Sequence, residues 1–97
     1  MPKGYVIFRE AMHDMAGIEA YGKAAGPTIA HAGARVLVVD DEPQVVEGSW
    51  PGNRTVVLEF DSVEAARAWY ESPEYQAAVP LRQAAADADV VIVAGSG

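Results

Sequence analysis

No cysteine occurs among the 97 residues, which excludes a disulfide, a thiol nucleophile and a thiolate metal site. Positive charge is scarce as well: five Arg and two Lys, scattered along the chain, face fourteen Asp and Glu, for a formal net charge of −7. Non-specific attachment to nucleic acid or to an anionic membrane relies on clustered Lys and Arg, so neither partner is expected. Long apolar runs are missing. None approaches the ~20 residues that span a bilayer, and the opening MPKGYVIFRE reaches Arg9 and Glu10 too soon for a signal peptide. A cytoplasmic location is the expectation. With two widely spaced histidines, His13 and His31, and no thiol, no metal-ligand pattern forms either.

What is present reads as globular. The chain is 51% hydrophobic and 22% charged, and its length suits one domain over 1–97, domains being roughly 100–150 residues. A chain this short buries only a little over ~60% of its unfolded surface, so its own core is thin. Four β-branched runs predict strands: YVIF (5–8), RVLVV (35–39), TVVLEF (55–60) and DVVIV (89–93). A weaker run, QVVEG (44–48), follows the turn signal Asp40-Asp41-Glu42-Pro43 and predicts a short hairpin arm extending the second strand.

Met15, Ile18, Tyr21, Ala25, Ile29 and Ala32 recur at helical spacing, with Asp14 as N-cap and Gly33 as terminator; Gly26-Pro27 predicts a kink or break. A second helical region starts at FDSVEAARAWYE, with Asp61 and Glu64 at capping-box spacing and Ser62 as the other candidate cap. In WYESPEYQ (69–76), Ser72-Pro73 is punctuation: Ser caps a new helix and Pro occupies its first turn, with Pro80 a further perturbation.

The order β-α-β-(β)-β-α-β predicts an α+β, ferredoxin-like βαββαβ fold: a four-stranded antiparallel sheet plus the short hairpin extension, with the helices on one face. VLVV, VVL and VVIV are apolar on both parities, so both faces of the sheet read as dry. The helices can cover one. A second copy is expected on the other, giving a homodimeric α+β barrel.

GYVIFRE, AAGPTIAHAGARVLV, EGSWPGNRTVVLEF and EAARAWYESPEYQAAVPLRQAAADADVVIVAG together resemble the family known as domain of unknown function 1330, of the dimeric α+β-barrel superfamily. The specific part is Glu47-Gly48, Trp50-Pro51, Glu59-Phe60 and Trp69-Tyr70 through Ser72-Pro73-Glu74-Tyr75-Gln76; Ala34 departs from a second Gly that the family more often carries there. The resemblance implies a protomer that pairs through its sheets, and it supplies no reaction. Related branches include cofactor-independent quinol monooxygenases, haem-degrading enzymes and muconolactone isomerases, which place different residues in a shared cleft.

Candidate chemistry is sparse. Glu59 interrupts an apolar strand and needs a partner, with Arg9, Arg35 and Arg82 available; a buried pair of this kind shifts proton affinity. His31, in the last turn of the first helix, is the other proton-handling candidate. Tyr21, His31, Tyr75 and Arg82 are expected to line a cleft between sheet and helices, with Tyr75 presenting a free hydroxyl and Trp69 shaping the wall. Trp50, in the Trp50-Pro51-Gly52-Asn53 loop, needs covering by a partner chain or a ligand. Arg54 has Glu47 as its candidate ion-pair partner, and Asp40-Asp41-Glu42 reads as a solvated turn.

No nucleophile–base set, phosphate loop or zinc motif accompanies these residues, so neither metal nor cofactor enters the reading. Two functions of different class fit them. One is a site for a small apolar or aromatic molecule, extending to cofactor-independent oxygenase or isomerase chemistry. The other is a non-catalytic dimeric structural or interaction module.

Overall fold

The alternation in GYVIFREAM decides how the first strand faces. In a computed structural model describing residues 2–97, β1 (Gly4–Met12) buries Gly4, Val6, Phe8 and Glu10 on one side and turns Tyr5, Ile7 and Arg9 to the other, following the two-residue period of a strand. Then come α1 (Met15–His31), β2 (Arg35–Asp40), β3 (Arg54–Phe60), α2 (Val63–Tyr70), α3 (Pro73–Ala85) and β4 (Ala86–Ala94). The strands form one antiparallel sheet in the order β2-β3-β1-β4, with the helices on a single face. This is the ferredoxin-like α+β arrangement expected from the sequence.

Helix ends follow local chemistry. Asp14 Oδ1 accepts from the Gly17 N–H at 3.1 Å, Ser62 Oγ from Ala65 at 3.0 Å and Ser72 Oγ from Tyr75 at 3.2 Å. The cap of α2 is therefore Ser62; the Asp61 carboxylate instead lies 3.8 Å from Lys3 and Arg35. At the end of α1, Gly33 adopts φ 72°, its N–H reaches Ala30 O at 3.1 Å and the Ala34 N–H reaches Ile29 O at 3.2 Å. That pair of bonds closes the last carbonyls in a Schellman motif.

Three expectations are corrected. α1 runs unbroken through Pro27, braced on both sides of it: Tyr21 packs on α3, and Thr28 Oγ1 donates to Ala25 O at 2.7 Å while accepting from Trp69 Nε1 at 3.0 Å. α3 likewise passes through Pro80. Residues 44–48 form no strand. Val45 and Val46 find no ladder between Pro43 and Gly48, and Val46 is 90% exposed. β2 therefore has no hairpin extension.

Under the helices, Val6, Phe8, Leu58, Phe60, Trp69, Tyr75 and Val79 form the core, each large side chain contributing about 1.5–3 kcal/mol of burial. The opposite face is open. Strand register sets Val38, Val57, Ile7 and Val91 side by side across it. This apolar band lies between two flanking rows, one carrying Arg35, Glu59 and Tyr5 and the other Thr55, Arg9 and Asp89. The face is thus dry only along its centre. Among the described residues, no helix is long and apolar enough to cross a membrane.

Candidate functional site

Glu10 continues the inward parity of Val6 and Phe8, so strand geometry alone drives a carboxyl group beneath the helices. It is 3% exposed, and among the described residues its side chain makes no hydrogen bond or ion pair. Burial pushes its pKa above the usual carboxylate range, against the opposing pull of Arg82 and then Arg54. The Trp50–Asn53 loop fixes this end of β1. The Asn53 N–H donates to Glu10 O at 2.7 Å, and Asn53 Oδ1 accepts from the Met12 N–H at 3.0 Å. Gly52, at φ 111°, lies so close that a Cβ there would sit 2.5 Å from Glu10 O.

From the helices come Tyr21 of α1 and Tyr75 of α3, whose hydroxyls are 2.8 Å apart. Tyr75 is wholly buried, so its hydroxyl is engaged rather than free as the sequence suggested. Two turns further along α3, Arg82 lies on the same helix face and is 4% exposed. Its guanidinium carbon stands 5.7 Å from the Phe8 ring centre and 6.0 Å from that of Tyr21, a cation–π arrangement. Its Nε is buried with no hydrogen-bond partner among the described residues. Burial, reinforced by Tyr75, raises the Tyr21 pKa far beyond the phenol range; burial also raises Tyr75, moderated by the bond with Tyr21 and by Arg82. Both phenols stay protonated.

Between these elements lies a recess of about 110 Å³, whose walls include Phe8, Glu10, Ile18, Tyr21, Arg54 and Leu58. Arg54 is held by Asp41, with Nε to Oδ1 at 2.6 Å and Nη2 to Oδ2 at 3.0 Å; Asp41 takes the place expected for Glu47. A buried titratable carboxyl, the Arg54 guanidinium and hydrocarbon walls, with Arg82 behind the Phe8 and Tyr21 rings, equip the recess for proton exchange and for holding a polar group of a small molecule.

Of the residues singled out from sequence, the structure brings together Tyr21, Tyr75 and Arg82. Trp69 braces them from behind: its ring centre is 4.0 Å from that of Tyr75 and 5.3 Å from that of Phe60, and its Nε1 is spent on Thr28. Glu59 lies on the open face, where its Oε1 accepts from Arg35 Nε at 2.6 Å and its Oε2 from Tyr5 OH at 2.9 Å. The bonds from Arg35 and then Tyr5 hold its pKa below the usual range, so it stands as a fixed anion away from the recess. His31 lines a separate groove of about 600 Å³ with Pro27, Thr28, Ala65, Trp69 and Glu74. Trp50 is on the open face, its Nε1 donating to Thr55 Oγ1 at 2.9 Å under the Arg9 guanidinium, 5.5 Å from the ring centre. Sequence reasoning passed over Glu10. The signal was there, in a carboxylate on the parity of Val6 and Phe8.

A family model described as Domain of unknown function (DUF1330) matches residues 3–96. Among solved structures, a protein of unknown function from Rhodopseudomonas palustris superposes with a TM-score of 0.73 at 21% identity, over 95% of this chain and 81% of that one. SnoaB, a cofactor-independent oxygenase from Streptomyces nogalater, does so with a TM-score of 0.66 at 11% identity, over 100% and 96%. A dimeric ferredoxin-like protein of unknown function from Thermobifida fusca gives 0.63 at 16% identity, over 96% and 91%. At these identities the likeness establishes the fold. No curated protein matches.

Proposed function

The chain belongs to the DUF1330 family, and from that premise we propose a homodimeric protein that binds a small, largely apolar molecule in the recess between sheet and helices, with Glu10 exchanging a proton with it. One observation carries this reading: a carboxyl group that is 3% exposed and unpaired stands on the wall of a cavity. The carboxyl is desolvated by its surroundings and has no protein partner among the described residues, so a ligand that hydrogen-bonds it supplies one. Arg54 and Tyr21 on the walls of the recess orient the ligand, with Tyr75 and Arg82 holding Tyr21 from behind, while Glu59, His31, Trp50 and Trp69 serve packing and the two other surfaces. The fold does not select a chemistry. A carboxylate that withdraws a proton from an activated substrate is, however, what isomerisation or oxygenation without a cofactor begins with, and SnoaB shares this fold.

The homodimer rests on the open face. Its apolar band, with Val38 40% and Val91 49% exposed, suits a second copy of the same sheet, and the Thermobifida fusca neighbour is dimeric.

A second reading, a non-catalytic dimeric module, draws on the recess volume of about 110 Å³, below the roughly 300–1,000 Å³ of usual ligand pockets. A thermal-shift panel of quinols, lactones and aromatic acids separates the two. A ligand at ~100 times its Kd stabilises by about 2.7 kcal/mol, and its shift should change in Glu10→Gln. A flat panel supports the module.

A further inference from the structure

Resting on the small-molecule reading above, we propose that the polar end of the ligand is a carboxylate, and that the recess takes it up together with one proton shared between that carboxylate and Glu10.

The charge inventory around Glu10 argues for this. Arg54 of β3 and Tyr21 of α1 share the walls of the recess with it. Arg82 of α3 lies behind, over the Phe8 and Tyr21 rings, with Tyr75 bonded to Tyr21; Asp41 holds the outer side of Arg54. On β4, the register partner of Glu10 is Ala88, which carries no charge. Asp41 balances Arg54. Arg82 has no carboxylate in ion-pair contact among the described residues, and its buried Nε lacks an acceptor. An ammonium ligand would enter against Arg54 on the wall and Arg82 behind it, with only Glu10 to meet it. An anion meets Arg54 and the phenol of Tyr21 on the walls, with the Arg82 guanidinium behind them.

Its one adverse neighbour is Glu10. Two carboxylates in contact cannot both stay ionised, so the entering anion draws a proton from solvent onto the pair. The carboxyl that holds it donates to the other, and the proton returns to solvent when the ligand leaves. The remaining walls, Phe8, Ile18, Ile29, Val56 and Leu58, are hydrocarbon. The recess, at about 110 Å³, admits a short aliphatic tail rather than a long chain.

Isothermal calorimetry with sodium butyrate on the unmodified protein tests this, in two buffers of different ionisation enthalpy from about pH 5 to about pH 8. Uptake of about one proton is expected where Glu10 is ionised in the free protein, with affinity falling about tenfold per pH unit across that range. Butylamine should not bind. Glu10→Gln keeps the shape and a donor, so it should bind butyrate without proton uptake and with a flat pH profile. Butyrate binding without proton uptake overturns the proposal. So does a panel in which neutral aromatic compounds bind and butyrate does not, an outcome that leaves the small-molecule reading standing. Binding of nothing at all ends both.

Discussion

Tyr21 and Tyr75, 54 residues apart in sequence, share a hydrogen bond across the α1–α3 contact, with hydroxyls at 2.8 Å and rings edge-on at 75°. Removing the Tyr75 hydroxyl leaves the half-buried Tyr21 hydroxyl without its partner. Tyr75→Phe is expected to lower stability by about 1–3 kcal/mol. The double variant Tyr21→Phe/Tyr75→Phe should cost less than the sum of the singles, since no phenol is then orphaned. Urea unfolding of the three variants reads both numbers.

Glu10 makes stability fall as pH rises. Its folded pKa is raised, chiefly by burial, so the folded chain binds more protons than the unfolded one between the ordinary carboxylate range and the raised value. Stability is greatest below that window and declines through it. Glu10→Gln should remove this decline and be the more stable protein at alkaline pH, as thermal melts across the pH range will show.

Glu59 works in the opposite sense. Hydrogen bonds from Arg35 and Tyr5 depress its folded pKa, so its contribution is present above the usual carboxylate pKa and is lost as pH falls through the depressed one. Glu59→Gln should shift acid unfolding to higher pH. Because it lies across the sheet from the recess, it should leave ligand-induced thermal shifts unchanged; a lost shift would tie the two faces together.

Val57 stands between Val38 and Ile7 in the apolar band. Val57→Lys plants a charge at the centre of the proposed sheet-to-sheet contact, where an unpaired charge is strongly unfavourable. Light scattering should then report a single-subunit mass, with circular dichroism unaltered. A wild-type protein that is already monomeric at micromolar concentration removes the homodimer from the proposal.

Gly52→Ala tests how the loop holds Glu10. The added Cβ would meet Glu10 O at 2.5 Å, from a backbone at φ 111° that side chains avoid. A loss of about 1–3 kcal/mol is expected, measurable by denaturant titration, together with faster amide exchange at Asn53, whose N–H is bonded to Glu10 O.

Features that depend on a few neighbouring residues were readable from sequence. Asp14, Ser72-Pro73 and Gly33 announce helix ends because capping is a local hydrogen-bond problem, and the β-branched runs announce strands. Long-range contacts decide the rest. Around Pro27 the helix is braced by residues far along the chain, Trp69 on Thr28 and Tyr75 on Tyr21. The Val45-Val46 run has the composition of a strand, yet composition does not supply a neighbour to pair with. Tyr75 reads as a cleft residue until Tyr21 is placed against it. Glu10 differs: alternation in β1 assigns it inward once Val6 and Phe8 are taken as core, whereas Glu59 lies on the opposite face of the sheet.

Along β1, Phe8, Arg9 and Glu10 point inward, outward and inward; along β3, Leu58, Glu59 and Phe60 do the same. A slip of either strand by one position would push Arg9 or Glu59 into hydrocarbon and lift Phe8 or Leu58 into water. Misaligned pairings are therefore rejected by ionised groups seated one step from the core. Neutralising Arg9 and Glu59 together would weaken the chain's means of telling the correct alignment from its nearest neighbour.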